Sequence, residues 1–151
     1  METLQARECI ALLNENYIGH LAFIADEKPY TVPITYYFDQ KDSIIAYAGE
    51  GFKIEAMRKN SRVALQVEQI EDVKNWRSVM VQGHFKEAFG SEAKFLLQEF
   101  ANGVKNVISQ HHHQHVRFIS DFTSDVYTRG TTSVYRIKIK EMFGKKMVQV
   151  G

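Results

Sequence analysis

Residues 47–60 run Tyr-Ala-Gly-Glu-Gly-Phe-Lys-Ile-Glu-Ala-Met-Arg-Lys-Asn. Gly49, Gly51 and Lys53 thus fall where a short apolar strand gives way to a helical turn. Backbone N–H groups at the start of such a helix point outward, and the helix dipole favours an anion there. Gly51 permits close backbone approach, and Lys53 adds a full positive charge. Residue types in this pattern suit a phosphate. The spacing matches neither a Walker A loop nor a G-x-G-x-x-G fingerprint. Glycine is also common at strand-to-helix corners for conformational reasons alone, so a plain corner and an anion grip both stand as readings.

Other residues could also do chemistry. The run His111-His112-His113-Gln114-His115 is internal. On a helix, His111 and His115 would sit at i and i+4, a spacing able to hold a metal or meet a haem edge. Neither a cysteine cluster nor an H-E-x-x-H pattern accompanies them, and a polar exposed segment is the expectation. Trp76, the single tryptophan, precedes a strand and suits either packing at a rim or a ring beside a site. Cys9 lies among apolar residues of a first helix and is expected to be a small buried hydrophobe. His20 and His84 have no carboxylate partner visible in sequence, and no triad can be argued from them. Lys145 and Lys146 are expected at a solvated end.

The elements that must position these residues follow from periodicity. Residues 4–16 place Leu4, Ile10, Leu12 and Leu13 at roughly helical spacing, with Asn14 and Asn16 suited to the helix end. Segments 18–25, 30–38, 43–48, 62–70 and 78–88 are rich in Val, Ile, Tyr, Phe and Thr between turn-like pieces, and are predicted strands. Val63, Leu65 and Val67 alternate with Ala64, Gln66 and Glu68; Tyr135, Ile137 and Ile139 alternate with Arg136, Lys138 and Lys140. The early strands are apolar on both faces, so a helix or a second subunit must cover each side. Pro33 inside its strand predicts an edge or a bulge. Residues 51–60 predict a short helix with Ile54 and Met57 on one face and Asn60 as a left-handed cap. Residues 91–101 predict a helix capped by Ser91, and 102–130 show no clear period. Six strands with short connections predict a mainly β fold with flanking helices, a six-stranded antiparallel barrel.

The 151 residues fit a single domain, 1–151. A formal net charge of +1 with scattered basic residues argues against nucleic acid as a partner. One cysteine excludes an internal disulfide and fits a reducing compartment. The first residues lack the pattern of a signal peptide and no apolar run approaches membrane-spanning length, so a cytoplasmic protein without membrane partners is expected.

Order and spacing then add a resemblance. The chain runs helix, Gly-His-Leu-Ala strand, Pro-Tyr-x-Val-Pro strand, Ile-Ile-Ala-Tyr strand and Gly-Phe-Lys helix. Asn-Ser-Arg-Val-Ala-Leu and Trp-Arg-Ser-Val-Met-Val-Gln-Gly strands follow, and the chain closes on Ser-Val-Tyr-Arg-Ile-Lys-Ile-Lys-Glu-Met-Phe-Gly-Lys-Lys-Met. This succession resembles the FMN-binding split barrels related to pyridoxamine 5'-phosphate oxidase, nearest the branch of the nitroimidazole-resistance proteins.

The resemblance implies a split β-barrel, FMN as cofactor, and a homodimer with FMN at its interface. It also implies a set of cofactor-binding positions. Thr31, Val32, Pro33 and Ile34 match the flavin-facing strand. Ala46 and Tyr47 stand where the oxidase has a Tyr-Thr pair. Gly51, Phe52 and Lys53 stand in place of its Ser-Arg-Lys phosphate clamp, with only the lysine kept. Arg77, Ser78 and Val79 match its Arg-Gln-Val strand, making Ser78 a polar contact and placing Trp76 beside it. The oxidase's C-terminal residues for pyridoxamine phosphate are not recognisable, and Ala46 replaces the histidine usual in nitroimidazole-resistance proteins. The function implied is an FMN-dependent oxidoreductase acting on a small molecule, with a reduced nicotinamide, NAD(P)H, as transient donor. A haem-binding split barrel, supported by the histidine run, and a non-catalytic flavin binder are the competing classes.

Overall fold

A computed structural model of the protein describes residues 1–112 and 132–149. Eight antiparallel strands and three α-helices follow in the order β1 (Glu2–Thr3), α1 (Ala6–Asn14), β2 (Ile18–Ala25), β3 (Lys28–Thr35), β4 (Tyr37–Phe38), β5 (Ser43–Gly49), α2 (Phe52–Lys59), β6 (Arg62–Asp72), β7 (Asn75–Ala88), α3 (Gly90–Val107) and β8 (Thr132–Val148). A π-helical turn, Ile108–His112, prolongs α3. Six strands are long, as the periodicity predicts, and the two additional ones have two residues each. None of the described helices is long and apolar enough to cross a membrane.

The strands pair in the order β3-β2-β6-β7-β8-β5-β4, with β1 added beside β8. The sheet curls around a core but does not close, so β3 and β4 are its two ends. Pro33 lies in β3, which pairs on one side only, against β2. A missing N–H costs no ladder bond on that free side. Asp26 and Glu27 take positive φ of 50° and 62° and form the two-residue turn from β2 into β3, the backbone twist that tight hairpins favour.

Alternation sends Leu21, Phe23, Val63, Leu65, Val67, Val79, Val81 and Ile137 inward. One end of this core is plugged by α1, which buries Cys9, Leu12 and Leu13. The Tyr36 hydroxyl, fully buried, donates to the Leu13 carbonyl at 2.8 Å. A second apolar cluster joins Leu96, Phe100, Ala101 and Val104 of α3 to Ile45 and Val134. This explains why β5 is apolar on both faces: Ile44 and Ala46 enter the barrel core, while Ile45 lies under α3.

Several local expectations need correction. Asn60 is extended (φ −135°, ψ 106°) rather than left-handed, because the chain passes straight into β6, and its Oδ1 accepts from the Arg62 N–H at 3.1 Å. Ser91 does not cap α3. The helix starts one residue earlier because Gly90, at φ 60°, turns the chain sharply off β7, and Phe89 takes the cap position. It also runs to Val107, into the stretch that showed no period. Lys145 is exposed, as expected of a solvated end, whereas Lys146 is half-buried. Lys145 donates to Thr3 Oγ1 at 3.1 Å, and Lys146 pairs with Glu8 at 3.0 Å, fastening β8 to the N-terminus. Cys9 is buried as expected, and burial pushes its thiol pKa up.

Candidate functional site

The seam where the sheet stays open contains a cleft of about 490 Å³. Pro33, Ile34 and Thr35 of the free edge β3 form one wall, and the end of β5, Tyr47 to Gly49, forms the other. Glu50, Gly51, Phe52 and Lys53, where β5 turns into α2, complete it. The first strand of the pairing order, β3, and the last but one, β5, therefore meet around the first turn of α2.

The glycines here are not demanded by the backbone. Gly51 has φ 165°, extended backbone that any residue adopts, and Gly49 is not left-handed either. A Cβ at either position would meet nothing within 4 Å. Both glycines therefore border open space beside the start of α2.

Lys53 is half-buried beside that space, and burial pushes its pKa below the ordinary lysine value. Among the described residues no carboxylate pairs with it. The neighbouring cation behaves differently. Arg58 donates from Nε and Nη2 to Glu87 at 2.7 and 2.8 Å, and from Nη1 and Nη2 to Glu50 at 3.0 and 2.6 Å. Glu87 also accepts from Ser133 Oγ at 2.6 Å. Arg58 thereby ties up the carboxylate between the two glycines, leaving Lys53 as the available charge of the cleft among the described residues.

Of the positions marked by resemblance, Pro33, Ile34, Tyr47, Gly51, Phe52 and Lys53 come together in this cleft. Thr31 and Val32 lie farther along β3, and Val32 packs against the core. Ala46 is 1% exposed within the core, so its side chain does not face the cleft. The ring of Tyr47 packs edge-on against Phe100 at 5.2 Å, leaving its backbone beside the cleft. Trp76, Arg77 and Ser78 stand on β7, beyond β2 and β6. Ser78 Oγ accepts from Gln66 Nε2 at 2.9 Å, and Gln66 is opposite His20, which is opposite Pro33. A row across the outer face of the sheet thus connects β7 to the cleft's edge strand.

Glu50 and Arg58 were not marked by sequence; eight residues separate them, and only the fold of the turn brings them together. The pair Ser61 Oγ and His84 Nδ1, 3.0 Å apart, was equally hidden. In the histidine run, His112 Nε2 meets the Glu15 carbonyl at 2.8 Å and its ring stands edge-on to Tyr17. His111 is exposed, and 113–115 lie outside the described residues. Among the described residues no group of three His, Cys, Asp or Glu side chains could hold a metal ion.

The sequence pattern of the pyridoxamine 5'-phosphate oxidase family matches residues 5–146, nearly the whole chain. The chain belongs to that family. A FAD-binding protein from Mesorhizobium loti has a similar structure, with 29% identity, a TM-score of 0.75, and 98% of this chain and 97% of that one covered. A structure described as a candidate 5-nitroimidazole antibiotic resistance protein from Bacteroides thetaiotaomicron shares the fold at 16% identity and a TM-score of 0.60, covering 95% of this chain and 86% of its own. An uncharacterized protein of Rhizobium meliloti is 31% identical over 87 residues, which span 58% of this chain and 57% of that relative's length. The split barrel expected from the strand succession is therefore found, and it is the fold of that candidate nitroimidazole-resistance protein as well.

In this family member the Arg58 cluster has a checkable consequence. The Glu87 carboxyl is held below its ordinary pKa, first by the hydrogen bond from Arg58. A carboxylate lowered on folding stabilises above its ordinary pKa, and that stabilisation disappears as pH falls through the lowered value. Urea unfolding of the wild type and Arg58→Met should differ most near about pH 7 and converge on acidification. A difference independent of pH would show that the carboxylate pairing does not stabilise the turn.

Proposed function

We propose that this chain binds the FMN unit of a flavin in the seam cleft and acts as an oxidoreductase on a small molecule. The observation that carries this is Lys53: a half-buried cation without a carboxylate partner among the described residues, at a helix start whose glycines leave open space. Family membership and the FAD-binding relative from Mesorhizobium loti support the same reading. Lys53 and the N–H groups of residues 51–53 would hold the phosphate, while the exposed edge of β3 would meet the ring. A bound flavin supplies the hydride and electron chemistry, and the chain's part is to hold and orient it. The donor is a reduced nicotinamide docking transiently, since the sequence has no Rossmann fingerprint to retain one.

A homodimer is part of this proposal. The alternation of the strands puts Ile18, Ile70, Met80 and Phe143 on the outer face of β2, β6, β7 and β8, with Ile70 63% exposed. Apolar surface on a strand face of this kind suits a second copy. That copy would bring its own Trp76, Arg77 and Ser78 to the edge strand of its neighbour.

The test is the visible spectrum of untagged protein, repeated on the supernatant after denaturation. A two-band flavin spectrum, released intact, is the expected result. Turnover of NAD(P)H with an artificial acceptor would then separate an oxidoreductase from a carrier. A colourless protein that binds neither added FMN nor FAD overturns the reading, and a sharp haem band would transfer it to the histidine run.

A further inference from the structure

The end of the cleft beside Lys53 is bordered by aromatic rings. Phe52, the residue before Lys53, is 54% exposed, and Tyr30 of β3 is 38% exposed. Their ring centroids are 5.2 Å apart with planes at 72°. Beneath them lies Phe23, 3% exposed, stacked on Tyr30 at 5.5 Å and edge-on to Phe52 at 6.0 Å. Phe23 fixes the orientation of both rings from the core side, so the pair is held in place before any ligand arrives. Isolated exposed apolar residues are ordinary on a protein surface. Two exposed rings in mutual contact, braced from below and continuous with a cleft through Phe52, are not scattered in that way.

We propose that Tyr30 and Phe52 form an adenine subsite, and that the flavin held by this chain is FAD. The proposal rests on the flavin reading of the cleft. FMN ends at the phosphate that Lys53 would hold. FAD continues from that phosphate through a second one to adenosine, so its extra group leaves the cleft beside Phe52. An aromatic face suits a nucleobase because every base has a π-face to stack on, and such stacking is worth roughly a ten- to hundredfold gain in affinity. The adenine of a nicotinamide donor has no equivalent connection: that donor would approach at the ring end of the flavin, away from Lys53.

The experiment titrates flavin-free protein separately with FMN, FAD and NADPH. The wild type should bind FAD about ten- to a hundredfold more tightly than FMN. Tyr30→Ser should lose most of that preference while keeping its affinity for FMN, since Tyr30 does not line the cleft. Phe52→Trp, which keeps a large ring, should retain the preference and guards against a folding defect in the first variant. Equal affinity of the wild type for FMN and FAD overturns the subsite and leaves the flavin reading intact. So does a Tyr30→Ser variant that weakens both flavins alike, or one that weakens NADPH instead of FAD. Binding of neither flavin removes both readings together.

Discussion

Lys53→Ala should bind flavin ten- to a hundredfold more weakly than the wild type, without loss of fold. A charge-assisted hydrogen bond contributes roughly 1.5–3 kcal/mol net, and about 1.4 kcal/mol is a factor of ten in affinity. The stability of the flavin-free protein should move the other way, or not at all. Burial lowers the Lys53 pKa, which means that the folded chain disfavours its charge. Substitution by Met removes that charge and keeps the stem packed. The sign can be followed with pH. Where the folded pKa lies below the unfolded one, the unfolded chain holds the proton longer and stability rises with pH through that window. The advantage of Lys53→Met over the wild type should therefore be largest at neutral pH and shrink as pH climbs toward the ordinary lysine value. Titration calorimetry gives the first quantity and urea unfolding of flavin-free protein the second. A variant that unfolds more easily while binding flavin normally would make Lys53 a structural residue.

Opposite demands on one residue are what a binding site imposes: a charge that costs the empty fold something becomes useful when an anion arrives. Arg58 shows the contrast within the same helix. Its charge is spent on Glu50 and Glu87, so it shapes the turn instead of serving the cleft. The sequence marked Lys53 for an anion, but nothing in it set Arg58 apart as the partner of two carboxylates. The assignment depends on which carboxylates the fold brings near, and Glu87 comes from a strand end 29 residues away.

The strands were legible because alternation is a local property. Val63, Leu65 and Val67 face one core and their neighbours face away, and nothing distant is needed to see it. The continuation of α3 beyond residue 101 was not legible. Its buried residues there, Gly103, Val104 and Ile108, include a glycine that looks like a helix breaker. In the fold that glycine is where the Tyr37 ring lies against the helix, so close that a Cβ would stand 2.3 Å from it. A tertiary contact has overridden a local propensity. The candidate site divides in the same way. Gly51, Phe52 and Lys53 are consecutive and could be found together, whereas Pro33 and Ile34 join them only because the sheet stays open between β3 and β5. Trp76, Arg77 and Ser78 do not line that cleft within one chain, which is why their proposed role needs a second copy.

Gly83→Ala should be the most destabilising small change in the sheet, and Gly51→Ala its opposite. Gly83 stands at the irregularity where Gln82 pairs with Glu141 but Gly83 pairs with Ile139, so that Lys140 bulges between them. The bulge presses β8 onto β7, and a Cβ on Gly83 would lie 2.1 Å from the Lys138 carbonyl oxygen. Because the obstructing atom is backbone, relief requires the bulge itself to move. Overpacking of this kind costs around 3 kcal/mol, lowering the thermal midpoint by roughly 6–12 °C for a chain of this size. At Gly51 the Cβ would enter open space from extended backbone, so stability should hold or rise slightly. Its methyl group would nevertheless occupy the room that a phosphate needs, and flavin affinity should fall. Thermal melts of flavin-free protein and flavin titrations on both variants give four numbers with opposite expectations. A Gly51→Ala protein that binds flavin as tightly as the wild type would show that the open space above α2 is not the phosphate site, whatever Lys53 does.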